Sequence, residues 1–386
     1  MKKIITLSML TMASFAGHAE LRINGFANLV GGLTSSDETL YGYDDKMSFS
    51  QESLFAIQIS GDINDKMTAT GQLVARGEND YKAEFEWAYI TYSATDKLNI
   101  SAGRLRLPLF NYSTSKDVGY SYHWLTTPNV VYNVPFNNLD GVKFEYSDYA
   151  GDWEYNLSTA LGTYKGESLG AINEGKNTYL LSAEASYEWF KIRGVFGATK
   201  ATLDLATSDS PSTLGFAAGL AAMRAAGFVE LEDALQIRDD TGKFLGLSLQ
   251  VDKFDWFVTG EITSVDVEDS FAAKDIAYYV TAGIRHEKWT PSLTYQKFKS
   301  DPEIKFQNLI NQIATSGLPA ANIAQLTGLA IGGQLAQDDE YNVWSATIRY
   351  DLDTNVALKA DISKLSDDSG DVRDATLVRF AVNYVF

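Results

Sequence analysis

Hydrophobic and polar residues alternate with a period of two in many short segments of the chain. Residues 84–93, EFEWAYITYS, form two faces, with Phe85, Trp87, Tyr89 and Thr91 on one and Glu84, Glu86, Ala88 and Ile90 on the other. This alternation is typical of β-strands. Sixteen such segments are predicted as strands: 20–33, 51–62, 66–77, 82–94, 97–107, 141–147, 153–164, 177–188, 189–200, 242–253, 255–267, 275–286, 289–298, 340–351, 355–364 and 375–386.

The connections between these strands alternate between short turns and longer segments. The predicted long connections are 34–50, 78–81, 108–140, 165–176, 201–241, 268–274, 299–339 and 365–374. Short turns on one rim and longer loops on the other are typical of an antiparallel transmembrane β-barrel. A soluble β-sandwich would also alternate, but its outward face would be polar. Because an apolar face recurs on every strand, the sequence predicts an all-β fold, a 16-stranded transmembrane barrel.

The chain ends in LVRFAVNYVF, which has the same alternation. Val378, Phe380, Val382, Tyr384 and Phe386 are predicted to face lipid, and Arg379 and Asn383 to face the interior. An open strand edge is not tolerated in a membrane, so this last strand is expected to pair with the first one.

The first nineteen residues have the features of a secretory signal peptide. MKK supplies the positive charge, 4–16 is apolar, and GHA places small residues before a cut after Ala19. The alternative, a frayed N-terminal helix, is disfavoured. Cleavage removes Lys2 and Lys3, so the formal charge of −18 becomes −20 in the barrel domain 20–386. The chain has no cysteine, so an exported protein of this sequence has no disulfides.

Three segments carry a family resemblance: ELRINGFANLVGG, ISAGRLRLP and the final LVRFAVNYVF. Their order and spacing resemble the general porins of Gram-negative outer membranes. The resemblance implies a homotrimer of barrels, each with a water-filled pore, surrounded by outer-membrane lipid and lipopolysaccharide. It also implies a third outer loop folded into the pore. The terminal Phe386 resembles the signal that the barrel-assembly machinery binds.

The third outer loop, predicted at 108–140, is unusually aromatic for a surface loop. Its rings are Phe110, Tyr112, Tyr120, Tyr122, Trp124, Tyr132 and Phe136. Rings in this number are better accommodated inside a barrel than in water. Asp117 and Asp140 are the loop's only carboxylates, so the acidic motif that many family members carry at the loop tip is not evident.

Candidate pore residues lie on the wall and in this loop. Arg104 and Arg106 share a face just before the loop, where they either form a positive patch opposite its carboxylates or anchor the loop base through its carbonyl groups. The other wall candidates are Arg22, Arg76 and Arg379. A pore selects by diameter and by fixed charge on its wall.

The segment YSYHWL contains Tyr120, Tyr122, His123 and Trp124. Its rings either stack on sugars or pack the loop against the wall, and packing is the favoured interpretation. His286, the other histidine after the signal, is predicted on the opposite rim, so a two-histidine metal site is disfavoured. No cofactor is predicted.

Two helical stretches, 212–237 and 307–336, fall in the fifth and seventh outer loops, where they are predicted to pack on one another near the mouth. SDDSGD, residues 366–371, resembles part of a calcium loop but lacks the full pattern, so a solvated surface is favoured.

The predicted function is an outer-membrane channel for passive diffusion of small hydrophilic solutes and ions, with no nucleic-acid partner. The alternative is a channel selective for sugars or for an anion such as phosphate. An outer-membrane barrel enzyme or adhesin is disfavoured, because the chain lacks G-x-S-x-G and H-E-x-x-H motifs.

Overall fold

The computed structural model describes residues 20–36, 38–367 and 374–386. Sixteen antiparallel strands form one closed barrel, in which each strand pairs with its neighbours in sequence. The strands are β1 Leu21–Thr34, β2 Leu54–Asn64, β3 Met67–Arg76, β4 Ala83–Ser93, β5 Leu98–Arg106, β6 Asn138–Ala150, β7 Trp153–Ser168, β8 Ala171–Tyr187, β9 Phe190–Asp204, β10 Arg238–Asp252, β11 Trp256–Val267, β12 Lys274–Ile284, β13 Trp289–Asp301, β14 Glu340–Asp353, β15 Val356–Asp367 and β16 Ala375–Val385. The predicted number of strands and the antiparallel closure are confirmed.

The barrel closes between its first and last strands. β16 pairs with β1 from Phe26 opposite Val385 to Thr34 opposite Leu377. The amide and carbonyl of Phe386 also bond to those of Gly25, each at 2.9 Å. Because every backbone group at this seam is paired, the terminal strand has no open edge.

The barrel is apolar outside and polar inside, as a membrane requires. On β10, Leu245, Leu247 and Leu249 are exposed on the outer face, whereas Ser248 between them is buried. The terminal strand has the predicted faces, with Phe380 and Tyr384 exposed outward. Its polar residues Arg379 and Asn383 are buried inside. Alternate positions therefore separate lipid-facing from interior side chains along each strand.

Aromatic rings cluster near the short-turn rim. Trp153 lies 5.3 Å from Tyr187, and Trp289 lies 4.5 Å from Tyr350, measured between ring centroids. Trp153, Trp189, Trp256 and Trp289 are all partly exposed on the outside. Such rings are typical of the membrane interface, where an amphipathic ring contacts both lipid and water.

One predicted face is wrong. On β4 the pairing with β3 shifts register, so that Gln72 lies opposite Trp87 but Leu73 lies opposite Phe85. The extra residue, Glu86, is a β-bulge, which reverses the alternation of the strand. Phe85 therefore faces outward, whereas Trp87 is buried inside.

The predicted long loop at 165–176 is also wrong. β7 and β8 continue to Ser168 and Ala171 and are joined by a two-residue turn. Leu169 and Gly170 both have positive φ, at 55° and 68°, which suits a tight hairpin. The carbonyl of Leu169 accepts a hydrogen bond from Ser208 Oγ at 2.8 Å, so the fifth outer loop supports this hairpin tip.

In the described residues, the outer connections contain five α-helices. These are α1 Asn129–Tyr132, α2 Pro211–Ala225, α3 Val229–Ala234, α4 Gln307–Ala314 and α5 Ala320–Leu335. The last four pack on one another around Leu220, Met223, Ile310 and Ile313. The predicted packing of the fifth and seventh loops is confirmed, and these four helices form a cap on the outer rim.

Two predictions fall wholly or partly outside the described residues. The signal peptide 1–19 is one, and most of the calcium-like segment 366–371 is the other. Across the described residues, no helix has both the length and the apolar character needed to cross a membrane.

Candidate functional site

The connection between β5 and β6, residues 107–137, contacts interior side chains on strands all round the barrel; we term it the inward segment. Trp124 Nε1 donates to Thr281 on β12 at 2.9 Å. Tyr132 Oη donates to Glu261 on β11 at 2.9 Å. Asn28 Nδ2 on β1 donates to the Asp117 carbonyl at 2.8 Å. Contacts on such separate strands require the segment to lie within the barrel.

Cationic side chains on the wall bind carbonyl groups of the inward segment. Lys359 on β15 donates to the carbonyls of Gly119 at 2.6 Å and Tyr122 at 2.8 Å, and to that of Trp124. Arg349 on β14 donates to the carbonyls of Tyr120 at 2.6 Å and Tyr122 at 2.7 Å. The carbonyl groups of an irregular segment have no partners in a helix or sheet. A buried carbonyl group without a hydrogen bond raises the free energy of the folded protein. These bonds satisfy them.

The start of the segment is held in the same way. Arg193 on β9 donates to the Leu109 carbonyl at 3.0 Å and also to the Pro108 carbonyl. Glu261 accepts from the Asn111 amide at 3.0 Å. The sequence suggested bonding to loop carbonyls as one role for Arg104 and Arg106. In the structure, Arg193, Arg349 and Lys359 bind such carbonyls.

Gly119 marks a close approach of the segment to the wall. A Cβ atom at this position would lie 2.3 Å from Asn383 Nδ2 and 2.5 Å from Asn28 Oδ1. Beyond it, Tyr120 Oη donates to the carbonyl of Thr354 at 2.7 Å, in the short turn between β14 and β15. The segment thus reaches from the long-loop rim to the short-turn rim.

A buried four-residue charge cluster fixes the other side of the segment. Asp117 Oδ2 lies 2.6 Å from Arg106 Nη2 and 3.1 Å from Arg76 Nη2. Glu86 accepts from the same two arginines, at 2.9 Å from Arg106 and 2.7 Å from Arg76. The Trp87 ring lies 5.4 Å from the Arg106 guanidinium carbon. Two cations and two carboxylates balance, and Arg76 also reaches a third, more exposed carboxylate, Glu84, at 3.3 Å.

The surroundings of two neighbouring loop residues, Asp117 and Lys116, shift the pKa of each. Burial by itself would raise the pKa of Asp117, but Arg106 and Arg76 outweigh burial and hold that pKa at about 2. Burial lowers the pKa of the neighbouring Lys116 to about 8, although Asp117 opposes this shift. Lys116 Nζ donates to the Tyr132 carbonyl at 3.0 Å. At neutral pH, Asp117 is therefore ionised and Lys116 is mostly protonated.

Arg104 and Arg106 share a face, as predicted, but differ in surroundings. Arg104 has a side chain 44% exposed and only a distant partner, Asp140, at 3.9 Å. Asp140 is itself 60% exposed and lies on β6 rather than in the loop. Arg104 is thus exposed to the vestibule, whereas Arg106 is committed to the cluster.

A second buried ion group lies where the first loop meets β16. Arg379 Nη1 lies 2.7 Å from Glu52, and its Nη2 lies 2.8 Å from Asp361. Glu52 also accepts from Thr126 Oγ1 of the inward segment at 3.0 Å. The group therefore joins the first loop, β15 and β16 to the inward segment.

Several rings of the inward segment pack against the wall. Tyr122 and Trp124 are both buried. Trp124 forms edge contacts with Tyr112 at 5.1 Å and Tyr279 at 5.5 Å. His123 packs on Phe257 at 4.0 Å, and burial lowers its pKa well below the usual range. These contacts fit the favoured interpretation of the aromatic loop.

The remaining candidates are separated. Arg22 pairs with Asp62 at 2.8 Å near the short-turn rim, away from the charge cluster. Glu52, Glu86 and Lys116 are further functional candidates, which the sequence pattern alone did not single out. Alternation places Glu52 and Glu86 inside, but only the fold shows which charges meet.

A vestibule of about 880 Å³ lies between the inward segment, β2–β6 and the outer loops. Its charged lining includes Glu52, Arg76, Glu78, Glu84, Glu86, Arg104, Arg106, Lys116, Asp117 and Lys165. Both signs of charge therefore face one water-accessible space. Among the described residues, no group of three His, Cys, Asp or Glu side chains could hold a metal ion.

Comparisons with known proteins agree with this architecture. Residues 6–371 match the family model described as Gram-negative porin. No curated protein matches the sequence.

Solved structures share the fold at low identity. The outer membrane channel DcaP of Acinetobacter baumannii is 11% identical, with a TM-score of 0.57 over 95% of this chain and 97% of that one. The trimer form of OmpT from Vibrio cholerae is 10% identical, with a TM-score of 0.53 over 95% and 99%. The anion-selective porin from Comamonas acidovorans is 10% identical, with a TM-score of 0.54 over 95% and 100%.

Proposed function

Because the chain belongs to the Gram-negative porin family and forms an outer-membrane channel, we propose that small hydrophilic solutes and ions diffuse passively through its charged vestibule. The observation that carries this proposal is the vestibule lining, which presents carboxylates and cations to one water-accessible space of about 880 Å³. Fixed charges of both signs support passage of ions and polar solutes.

A sugar-selective pore is less well supported. Stacking on a sugar needs an accessible ring, but Tyr122 and Trp124 are buried against the wall. An anion-selective pore remains the second candidate, because Arg104 is exposed and Lys116 lines the vestibule. The likeness to an anion-selective porin supports this candidate only through the shared fold.

Several partners belong to the same proposal. We infer a homotrimer in outer-membrane lipid and lipopolysaccharide, in line with the trimer form of OmpT. Phe386 is the proposed contact for the barrel-assembly machinery, since it is exposed on the outer face at the barrel seam. We also propose that the chain is not an enzyme and that Arg104, Arg106 and Asp117 control permeation.

Planar-bilayer recording of the purified protein tests the proposal. Passive diffusion predicts large ohmic steps that occur in threes and are not blocked by sugars or phosphate. Smaller steps that phosphate blocks would favour the anion-selective candidate. No steps at all would contradict both.

A further inference from the structure

A second internal space lies on the opposite side of the inward segment from the charge cluster. This apolar cavity has a volume of about 300 Å³ and is enclosed by the segment and the walls of β7–β13. The segment contributes Leu109, Val131 and Phe136, among others. The wall contributes apolar side chains such as Leu180, Phe244, Ala201 and Ala277. A porin interior is expected to be polar, so an apolar space here needs a separate explanation.

Outer connections beside the cap helices line one side of this cavity. Ile237, Phe271 and Gln337 belong to the outer connections and line the cavity. Gln337 accepts from the Ala273 amide at 3.2 Å and donates to the Phe271 carbonyl at 3.1 Å. The Gln337 side-chain amide is therefore hydrogen-bonded within the protein, and the other side chains of these connections that face the cavity are largely hydrocarbon.

The charged groups around the cavity, Asp275 and Lys243, already have partners. Asp275 accepts from Ser300 Oγ at 2.8 Å, and Lys243 pairs with Glu268. In the described part of the chain, none of the buried side-chain polar atoms without a partner belongs to a lining residue. The side chains thus leave no buried group free to bind a polar ligand or hold a water molecule.

The cavity adjoins the vestibule. Asn133, Pro135, Asp275 and Phe298 line both spaces. Asn133 is exposed, so this boundary is open to solvent on the vestibule side. A molecule that reaches the vestibule from outside therefore meets the cavity between Asn133 and Phe298.

We propose that the apolar cavity is a binding site for a small uncharged apolar molecule that arrives through the vestibule. A dry cavity of about 150 Å³ lined by apolar residues binds one benzene. The space here is about 300 Å³, which suits a fused two-ring hydrocarbon or a compound of similar size. A charged ligand is expected to bind more weakly, because the charged residues of the lining, Lys243 and Asp275, already have partners within the protein. This site goes beyond passive diffusion of hydrophilic solutes and does not depend on it.

The test compares a neutral ligand with its charged analogue. Full-length protein in lipid nanodiscs is titrated with 1-fluoronaphthalene and followed by ¹⁹F NMR, with empty nanodiscs subtracted. The variant Ala201→Leu/Ala277→Leu fills the cavity from two wall strands. The matched control Glu78→Leu introduces the same side chain into the vestibule instead.

Wild type and Glu78→Leu are expected to bind one equivalent of 1-fluoronaphthalene saturably, without competition from 4-fluoro-1-naphthoate. The double variant is expected to bind at least about tenfold more weakly, because overpacking replaces the site. Unsaturable binding in wild type, or equal affinity in a folded double variant, would overturn the proposal.

A second measurement is independent of the variant's folding. Crystals of wild type soaked in bromobenzene are expected to show anomalous density between Phe136 and Phe244. Its absence there would overturn the site. Bilayer steps recorded from the same preparations test the diffusion proposal separately, since a channel without the apolar site would still conduct.

Discussion

Replacement of Asp117 by Asn tests how the charge cluster holds the inward segment. The substitution keeps the size of the side chain but removes its charge. Arg106 at 2.6 Å and Arg76 at 3.1 Å would then share Glu86 as their main carboxylate. The cluster would change from balanced to one excess positive charge.

The size of the effect follows from burial and distance. Two unit charges about 4 Å apart attract by roughly 4 kcal/mol at an effective dielectric constant near 20. Desolvation offsets part of this, and removal of one partner from a buried pair typically costs about 3–5 kcal/mol. Anchors from Lys359 and Arg349 remain, so the barrel should stay folded. A local loss of about 3 kcal/mol raises the detached population of the segment roughly a hundredfold.

Single-channel recording measures this change as current noise. We expect Asp117→Asn to fluctuate far more than wild type, with reversal potentials shifted toward anions. Asp140→Asn is the matched control, because it removes the same charge from an exposed side chain. It should alter the reversal potential slightly and leave the noise unchanged. Equal noise in the two variants would refute the anchoring role of the cluster.

Three further predictions use the same structure. Arg104→Ala should shift reversal potentials toward cations without added current noise. Arg106→Ala should shift them in the same direction and also add noise, because only Arg106 is buried in the cluster. Identical noise in the two variants would contradict this. The pKa of Lys116 is lowered to about 8, so cation preference should rise between pH 7 and 9 in wild type and stay flat in Lys116→Met. Burial disfavours the charged form of Lys116 in the folded protein. Wild type should therefore gain stability relative to Lys116→Met as pH rises from about 8 to about 10.5, because the folded state loses this proton at a lower pH than the unfolded state does. Phe386→Ala should lower the unfolding temperature on heat-modifiability gels by removing about 1 kcal/mol of ring contacts with Phe55 and Tyr384, whereas Phe254→Ala, in an exposed turn, should not.

The barrel was predictable because its information is local. A strand that spans a membrane must alternate, so each segment reports its own existence and faces without reference to its neighbours. The terminal strand is an example: Phe380 and Arg379 lie on the predicted faces. The two-residue turn at Leu169 was missed, because polar residues beyond the membrane give β7 and β8 no alternation to extend.

The contacts of the inward segment were not predictable in the same way. Alternation places Arg193, Arg349 and Lys359 inside, but it does not say that they bind carbonyls more than 80 residues away along the chain. The curvature of the segment determines which wall side chains it meets. That curvature depends on the packing of rings such as Trp124 against Tyr279, which lie on different parts of the chain.

The bulge at Glu86 shows how one residue can decide the electrostatics of the site. Without the bulge, the consecutive residues Glu86 and Trp87 would face opposite sides of the strand. With it, Glu86 and Trp87 are both buried on the interior side, where Glu86 contacts Arg76 and Arg106 and Trp87 lies beside Arg106. A bulge adds local twist and redirects side chains, which is why it recurs next to functional sites. The residue that the bulge on β4 adds, Glu86, thus binds the same two arginines that bind Asp117.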